Sequence, residues 1–254
     1  MDWWKRIVRI VVFVVAVAPV LASPVWAGAF EDVHAGKVAS QRGHYGEAIR
    51  LFTQAIDSGE LSESLLSVTY FNRGNINARK GLQRAALADF SAAIRLRPDY
   101  ARAYRERGII DYVMRRYPQA VADFTKVLKL MPDEPEIHVR RAGVYRSMGR
   151  EDLAIADYDR AIALKPDYWM AYIFRGNIHR RAGRFALALA DFSRVIAGSP
   201  RSWDGYIGRC LIYERMRRTE DAIRDCRTAL ELYPNLLEAE NALQRMGAPE
   251  IRQN

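Results

Sequence analysis

Apolar residues recur along most of this chain at the three- and four-residue spacing of a helix face, in successive short segments such as 101–115 and 118–130. The segments come in pairs. Within a pair, one segment carries a small residue where the other carries an alanine and a ring, which lets two helices approach closely. Such a hairpin cannot bury its apolar face alone, so neighbouring pairs must stack and share one core. The prediction is an all-α protein.

The pairs repeat on a fixed step. Pro98, Pro132, Pro166, Pro200 and Pro234 lie 34 residues apart and account for five of the ten prolines. The same step carries Ala86, Ala120, Ala154, Ala188 and Ala222, and with them Phe90, Phe124, Tyr158, Phe192 and Cys226. It also carries Gly74, Gly108, Ala142, Gly176 and Cys210, and Tyr70, Tyr104, His138, Tyr172 and Tyr206. Each proline ends a second helix, and an Asp or Asn usually follows (Asp99, Asp133, Asp167, Asn235), placed to cap the next helix.

This period and its aromatic, Gly, Ala, Phe, Pro pattern resemble the tetratricopeptide repeat over residues 29–246. The resemblance implies a right-handed superhelical solenoid with repeats at 29–62, 67–100, 101–134, 135–168, 169–202 and 203–236. The first repeat lacks the closing proline and is followed by four extra residues, read as a longer loop around residues 59–64. A segment at 237–246, with Leu236, Ala239, Leu243 and Met246 on one face and Gly247 after it, reads as a solvating cap helix.

One charged pattern follows the period. Arg73, Arg107, Arg141, Arg175 and Arg209 are each followed sixteen residues later by Asp89, Asp123, Asp157, Asp191 and Asp225, while the first repeat lacks both members. Joint loss suggests that the two positions touch. The structural expectation is an Arg–Asp pair joining the two helices of each repeat. The functional alternative is an anion-binding ladder.

The resemblance also implies that the first helix of each repeat lines a concave groove. The residues placed there as partner-binding are Phe71, Asn75, Arg102, Arg105, Ile109, Tyr112, Arg140, Arg146, Ile173, Phe174, Asn177, Arg180 and Arg181; Glu136, Val139, Gly143 and Met170 are among the other positions that face the groove. The mixture is apolar and basic, which suits a protein or peptide segment with apolar anchors and acidic flanks. The alternative ligand is an anionic polymer, such as an acidic polysaccharide. Asn75 and Asn177 match the asparagines with which some family members clamp a C-terminal carboxylate, but Phe71 and Ile173 stand where the clamp needs lysine.

Composition narrows the chemistry. The 254 residues carry 39 basic and 30 acidic side chains, a net charge of +9, which favours acidic partners. The four histidines are scattered, and His138 stands in a tyrosine column, so both it and His179 are expected as packed rings rather than bases or ligands. No metal-ligand spacing, nucleophile elbow or phosphate loop occurs, and neither an enzyme, a cofactor, a metal nor a small-molecule substrate is expected.

The N-terminus points to export. Lys5, Arg6 and Arg9 precede an apolar run over residues 10–22, and Val25-Trp26-Ala27 offers small residues at a cleavage site, so residues 1–27 read as a signal peptide. An uncleaved membrane anchor is the alternative. Cleavage leaves 36 basic and 29 acidic residues in a periplasmic or secreted chain, an address that argues against nucleic acid as the partner. The only two cysteines, Cys210 and Cys226, also stand sixteen residues apart, in the small-residue and ring columns of one repeat. Together with export this suggests a disulfide. Two buried thiols are the alternative.

Overall fold

The computed structural model describes residues 25–248, with side chains from Gly28 onward. The segment read as an export signal lies outside the described residues, apart from the backbone of residues 25–27. Among the described residues all regular structure is helical, and no helix is long and apolar enough to cross a membrane.

The chain divides into two compact units, with the boundary between Ser62 and Glu63. In the first, α1 (Val25–Gln41) and α2 (Tyr45–Asp57) form one hairpin, closed by Val33, Ala48, Phe52 and Ala55 in its interior. The second unit holds five hairpins and a last helix. They are α3 (Glu63–Arg79) with α4 (Gln83–Leu96), α5 (Ala101–Val113) with α6 (Tyr117–Leu130), and α7 (Pro135–Ser147) with α8 (Glu151–Leu164). Then follow α9 (Trp169–Arg181) with α10 (Phe185–Gly198), α11 (Trp203–Arg215) with α12 (Thr219–Leu232), and α13 (Leu237–Arg245).

Consecutive hairpins of the second unit stack into a superhelical array. Each second helix packs on the first helix of the next hairpin, and first helices also meet, as α9 meets α11 and α3 meets α5. The layer whose members touch directly is the inner, concave one. The ring column fills the interface within each hairpin: Phe90, Phe124, Tyr158 and Phe192 are all essentially buried. Gly176 shows why a small residue faces them, since a Cβ there would come within 3.2 Å of Phe192 and of the Asp191 Cβ. The last helix buries Ala239, Ala242 and Leu243 against α11 and α12, with Leu236 and Met246 beside them.

Two local expectations need correction. The four extra residues after the first repeat are not loop: they form the first turn of α3, where Leu65 is partly buried and its carbonyl accepts the Thr69 hydroxyl at 2.8 Å. The loop is therefore confined to residues 58–62. The aspartates after the prolines also do not cap. The N-cap positions are Tyr100, Glu134, Tyr168 and Leu236, none with a side-chain cap bond. Asp99, Asp167 and Asn235 sit one residue too early, and their backbone carbonyls accept the N–H of Ala101, Trp169 and Leu237 instead.

The turn inside each hairpin needs one residue with positive φ. Glycine fills it at Gly43, Gly81, Gly149 and Gly183, but Arg115 (φ 58°) and Arg217 (φ 59°) fill it in two hairpins. A left-handed conformation costs a non-glycine residue about 1–2 kcal/mol, partly offset by the smaller entropy that arginine loses on folding. Arg115→Gly and Arg217→Gly should each raise stability by about 0.5 kcal/mol, read as a higher urea midpoint at unchanged slope. The opposite sign would mean that the arginines make compensating contacts.

Candidate functional site

Two arrangements of side chains stand out in the second unit, one between the helices of each hairpin and one on the inner layer.

The first is the Arg–Asp series. The guanidinium nitrogens reach the carboxylates at 2.7 Å in Arg73–Asp89, Arg107–Asp123 and Arg141–Asp157, at 2.5 Å in Arg175–Asp191 and at 2.6 Å in Arg209–Asp225. All five are two-pronged, with Nε on one oxygen and Nη2 on the other, and in Arg73 the Nε–H is shared between both Asp89 oxygens. The aspartates are buried and the arginines half-buried. Hydrogen bonding to Asp123 raises the pKa of Arg107 against the opposing effect of burial, and Arg141 and Arg209 are raised in the same way by Asp157 and Asp225.

The sequence reading missed the other half of this arrangement. The remaining Nη1 reaches back to the preceding hairpin: Arg107 to Ser91, Arg141 to Thr125, Arg175 to Asp159 and Arg209 to Ser193. Ser91, Thr125, Asp159 and Ser193 form a column of the same period, sixteen residues before each arginine, so the signal was present. Each of these four arginines thus ties its own hairpin together and staples it to its neighbour. Tyr70, Tyr104 and Tyr172 lie under Arg73, Arg107 and Arg175 at 5.5–5.6 Å. His138 takes the tyrosine place and bonds through Nδ1 to Asp157 at 3.0 Å. His179 is buried, which lowers its pKa.

The second arrangement is a cavity of about 340 Å³ on the inner layer, formed by α5, α7 and α9 over α6 and α8. It gathers Ile109, Tyr112, Arg140, Arg146 and Phe174 with Glu136, Val139, Gly143 and Met170, and adds Phe124, Tyr158 and Tyr168. Met170 is 51% exposed and Tyr112 36%. A second cavity, about 410 Å³, shares Tyr168, Met170 and Phe174 and extends the trough past Ile173 and Trp169 to Asp167 and Asp204. Burial raises the pKa of Asp204.

The other residues assigned to the groove have different surroundings. Phe71 packs into the core against Tyr100 and Phe90, with ring centroids 5.0 and 5.9 Å apart. Asn177 donates to the Ile173 carbonyl of its own helix and accepts from Arg180. Asn75, Arg102, Arg105, Arg180 and Arg181 lie outside both cavities. The basic character is also reduced by local acids. Arg105 bonds Glu106, Arg140 bonds Glu136 one turn away, and Arg181 meets Glu151 at 3.4 Å. Arg146 instead lies over the Phe174 ring, 5.1 Å from its centroid. Phe124, Tyr158 and Tyr168 were not singled out from the sequence as groove residues. Only Tyr158 carried a signal, as the lone tyrosine in a phenylalanine column.

Stacked antiparallel hairpins with an apolar trough on the inner layer define a helical-repeat scaffold. The chain belongs to the tetratricopeptide repeat family, whose pattern matches residues 34–101, 106–168 and 173–236. Proteins of this family are in general protein–protein interaction scaffolds, and their fold is typically non-catalytic. No curated protein matches the chain. Among solved structures it is similar to YrrB, a TPR protein described as having an unusual peptide-binding site, at 23% identity over 76% of this chain and 97% of that one, with a TM-score of 0.62. It is similar also to MamA from Desulfovibrio magneticus, at 17% identity over 69% and 97% with a TM-score of 0.63, and to Pseudomonas aeruginosa pilF, at 13% over 88% and 100% with a TM-score of 0.67. These likenesses establish the fold.

Proposed function

We propose that this protein is an exported adaptor that holds a peptide segment of a partner protein in the inner trough of repeats 101–134, 135–168 and 169–202. One observation carries the reading: the inner cavity is walled by Ile109, Val139, Met170 and Phe174 and rimmed by partly exposed Tyr112, an apolar concavity that the chain's own side chains leave open. An extended or helical segment with apolar anchors would bury that surface. The peptide-binding site of YrrB is a precedent within the same fold. Export rests on the N-terminal pattern and on the Cys210–Cys226 disulfide, since such bonds persist in oxidising compartments.

The test is selection of a random-peptide phage library on the purified protein, followed by binding measurements on the recovered sequences. Replacing Ile173 and Phe174 by serine should weaken those peptides by about tenfold, ~1.4 kcal/mol. Replacing Arg105, Arg140 and Arg180 by glutamate should do less, because Arg105 and Arg140 already have acid partners. An enriched pool that ignores the apolar pair, with binding that collapses in salt, would favour a polyanion ligand instead.

A further inference from the structure

Of the buried polar groups without a hydrogen-bond partner among the described residues, one belongs to a residue that lines the groove cavity. Beneath the inner layer, three repeats place phenylalanine where one places tyrosine: Phe90, Phe124, Tyr158, Phe192. Tyr158 is 0% exposed, and its hydroxyl has no hydrogen-bond partner among the described residues. A phenylalanine fits this position in the neighbouring hairpins without that difficulty. A buried hydroxyl with no partner carries the full penalty of its lost hydration. Yet Tyr158 lines the inner cavity, so a ligand that moves the side chains covering the hydroxyl would meet it.

The surroundings define what such a ligand must offer. Burial pushes the Tyr158 pKa up to about 12, so at neutral pH the phenol is protonated and can donate. Arg146 lines the same cavity, stacks on Phe174, and forms no ion pair among the described residues. The carboxylate of Glu136 is held by Arg140, one turn along the same helix. Tyr112 and Tyr168 also line the cavity, the Tyr112 hydroxyl paired with Ser147, so it presents one buried hydroxyl without a partner and one cation without an acid partner, between apolar walls that include Val139 and Met170. Glu136 at the same cavity disfavours a doubly charged phosphate.

We infer that Tyr158 and Arg146 form a subsite for an aspartate or glutamate side chain of the segment held in the groove. The phenol donates to the carboxylate, the guanidinium balances its charge, and the methylenes of the ligand lie against Val139 and Met170. This rests on the groove reading, and it adds a requirement that an apolar trough alone does not have.

The test uses the full chain with the Met170 methyl labelled for NMR and three small probes: N-acetyl-glutamate α-amide, N-acetyl-glutamine amide and N-acetyl-leucine. The glutamate probe should shift the methyl saturably and bind about tenfold tighter than the glutamine probe, since hydrogen bonds to charged groups are the stronger ones. Tyr158→Phe and Arg146→Gln should each remove that preference. Tyr158→Phe should at the same time leave the thermal midpoint of the free protein unchanged or higher, a combination that a purely structural hydroxyl would not produce. Tightest binding by N-acetyl-leucine would assign the carboxylate to a chain terminus and overturn the side-chain assignment. Equal response to all three probes, no saturation, or a lowered midpoint in Tyr158→Phe would overturn the subsite. Phage-selected peptides that bind through Ile173 and Phe174 without an acidic residue would do the same, while leaving the groove reading intact.

Discussion

Arg175→Leu is expected to destabilise the protein by about 3–5 kcal/mol. The reason is not the strength of the ion pair, since a partly buried pair gains little net energy over a well-packed apolar one. It is what remains afterwards. Asp191 is 4% exposed and takes two bonds from the lost guanidinium. Leucine leaves that carboxylate charged, buried and without its donor. The same substitution removes the bond to Asp159 in the preceding hairpin, so two interfaces loosen together. Arg140→Leu is the internal control. Its partner Glu136 is exposed on the same helix, and exposed pairs of that kind contribute about 0.3–0.5 kcal/mol. Repeat arrays need not unfold in one step, so amide exchange within α9 and α10 should be followed alongside the urea midpoint. The double variant Arg175→Leu/Asp191→Leu should recover much of the loss. Equal effects of Arg175→Leu and Arg140→Leu would reject the account.

How far the sequence discloses this molecule depends on which interactions repeat. Interactions that recur every 34 residues wrote themselves into columns. The helix pairs, the small contact residues and both members of each Arg–Asp pair could be read because at least five copies of each stand in one chain. The link to Ser91, Thr125, Asp159 and Ser193 follows the same period, but its residue types vary because any small acceptor suffices, and a mixed column is easily taken for surface. What occurs once was less legible. The start of α3 four residues early depends on Leu65 finding a partly buried place, which no period announces. The groove shows the limit most clearly. Facing positions follow from the repeat, but charge balance does not: that Arg140 is held by Glu136 while Arg146 stacks on Phe174 depends on side-chain reach within single turns. Tyr158 is reached from the second helix of its hairpin, so a search confined to first helices passes over it.

Reduction of the Cys210–Cys226 bond should destabilise the C-terminal end of the array by about 3 kcal/mol, the chain-entropy value for a loop of this size. The two Cα atoms are 5.4 Å apart, within the range a disulfide spans without moving the backbone. Both cysteines are fully buried, in a cluster with Ile207, Leu211, Leu230, Ala239 and Leu243. The bond joins α11 to α12 at the point where other hairpins set a small residue against a ring. Among the described residues that hairpin has only the nine-residue α13 after it, so fewer neighbours hold it than hold an interior one, and such ends open first. Amides of α11, α12 and α13 should therefore exchange about a hundredfold faster after reduction, whereas those of α5 and α6 should change little because stability in such arrays is passed between neighbours. Burial predicts a second observable: in the folded protein the bond should resist mild reductant until that end opens. Protein recovered from the envelope fraction, unfolded without reductant and treated with an alkylating reagent, should show no free thiol. Two labelled thiols per chain would reject both the bond and the oxidising address it supports, and exchange that accelerates evenly along the array would reject its role as a local staple.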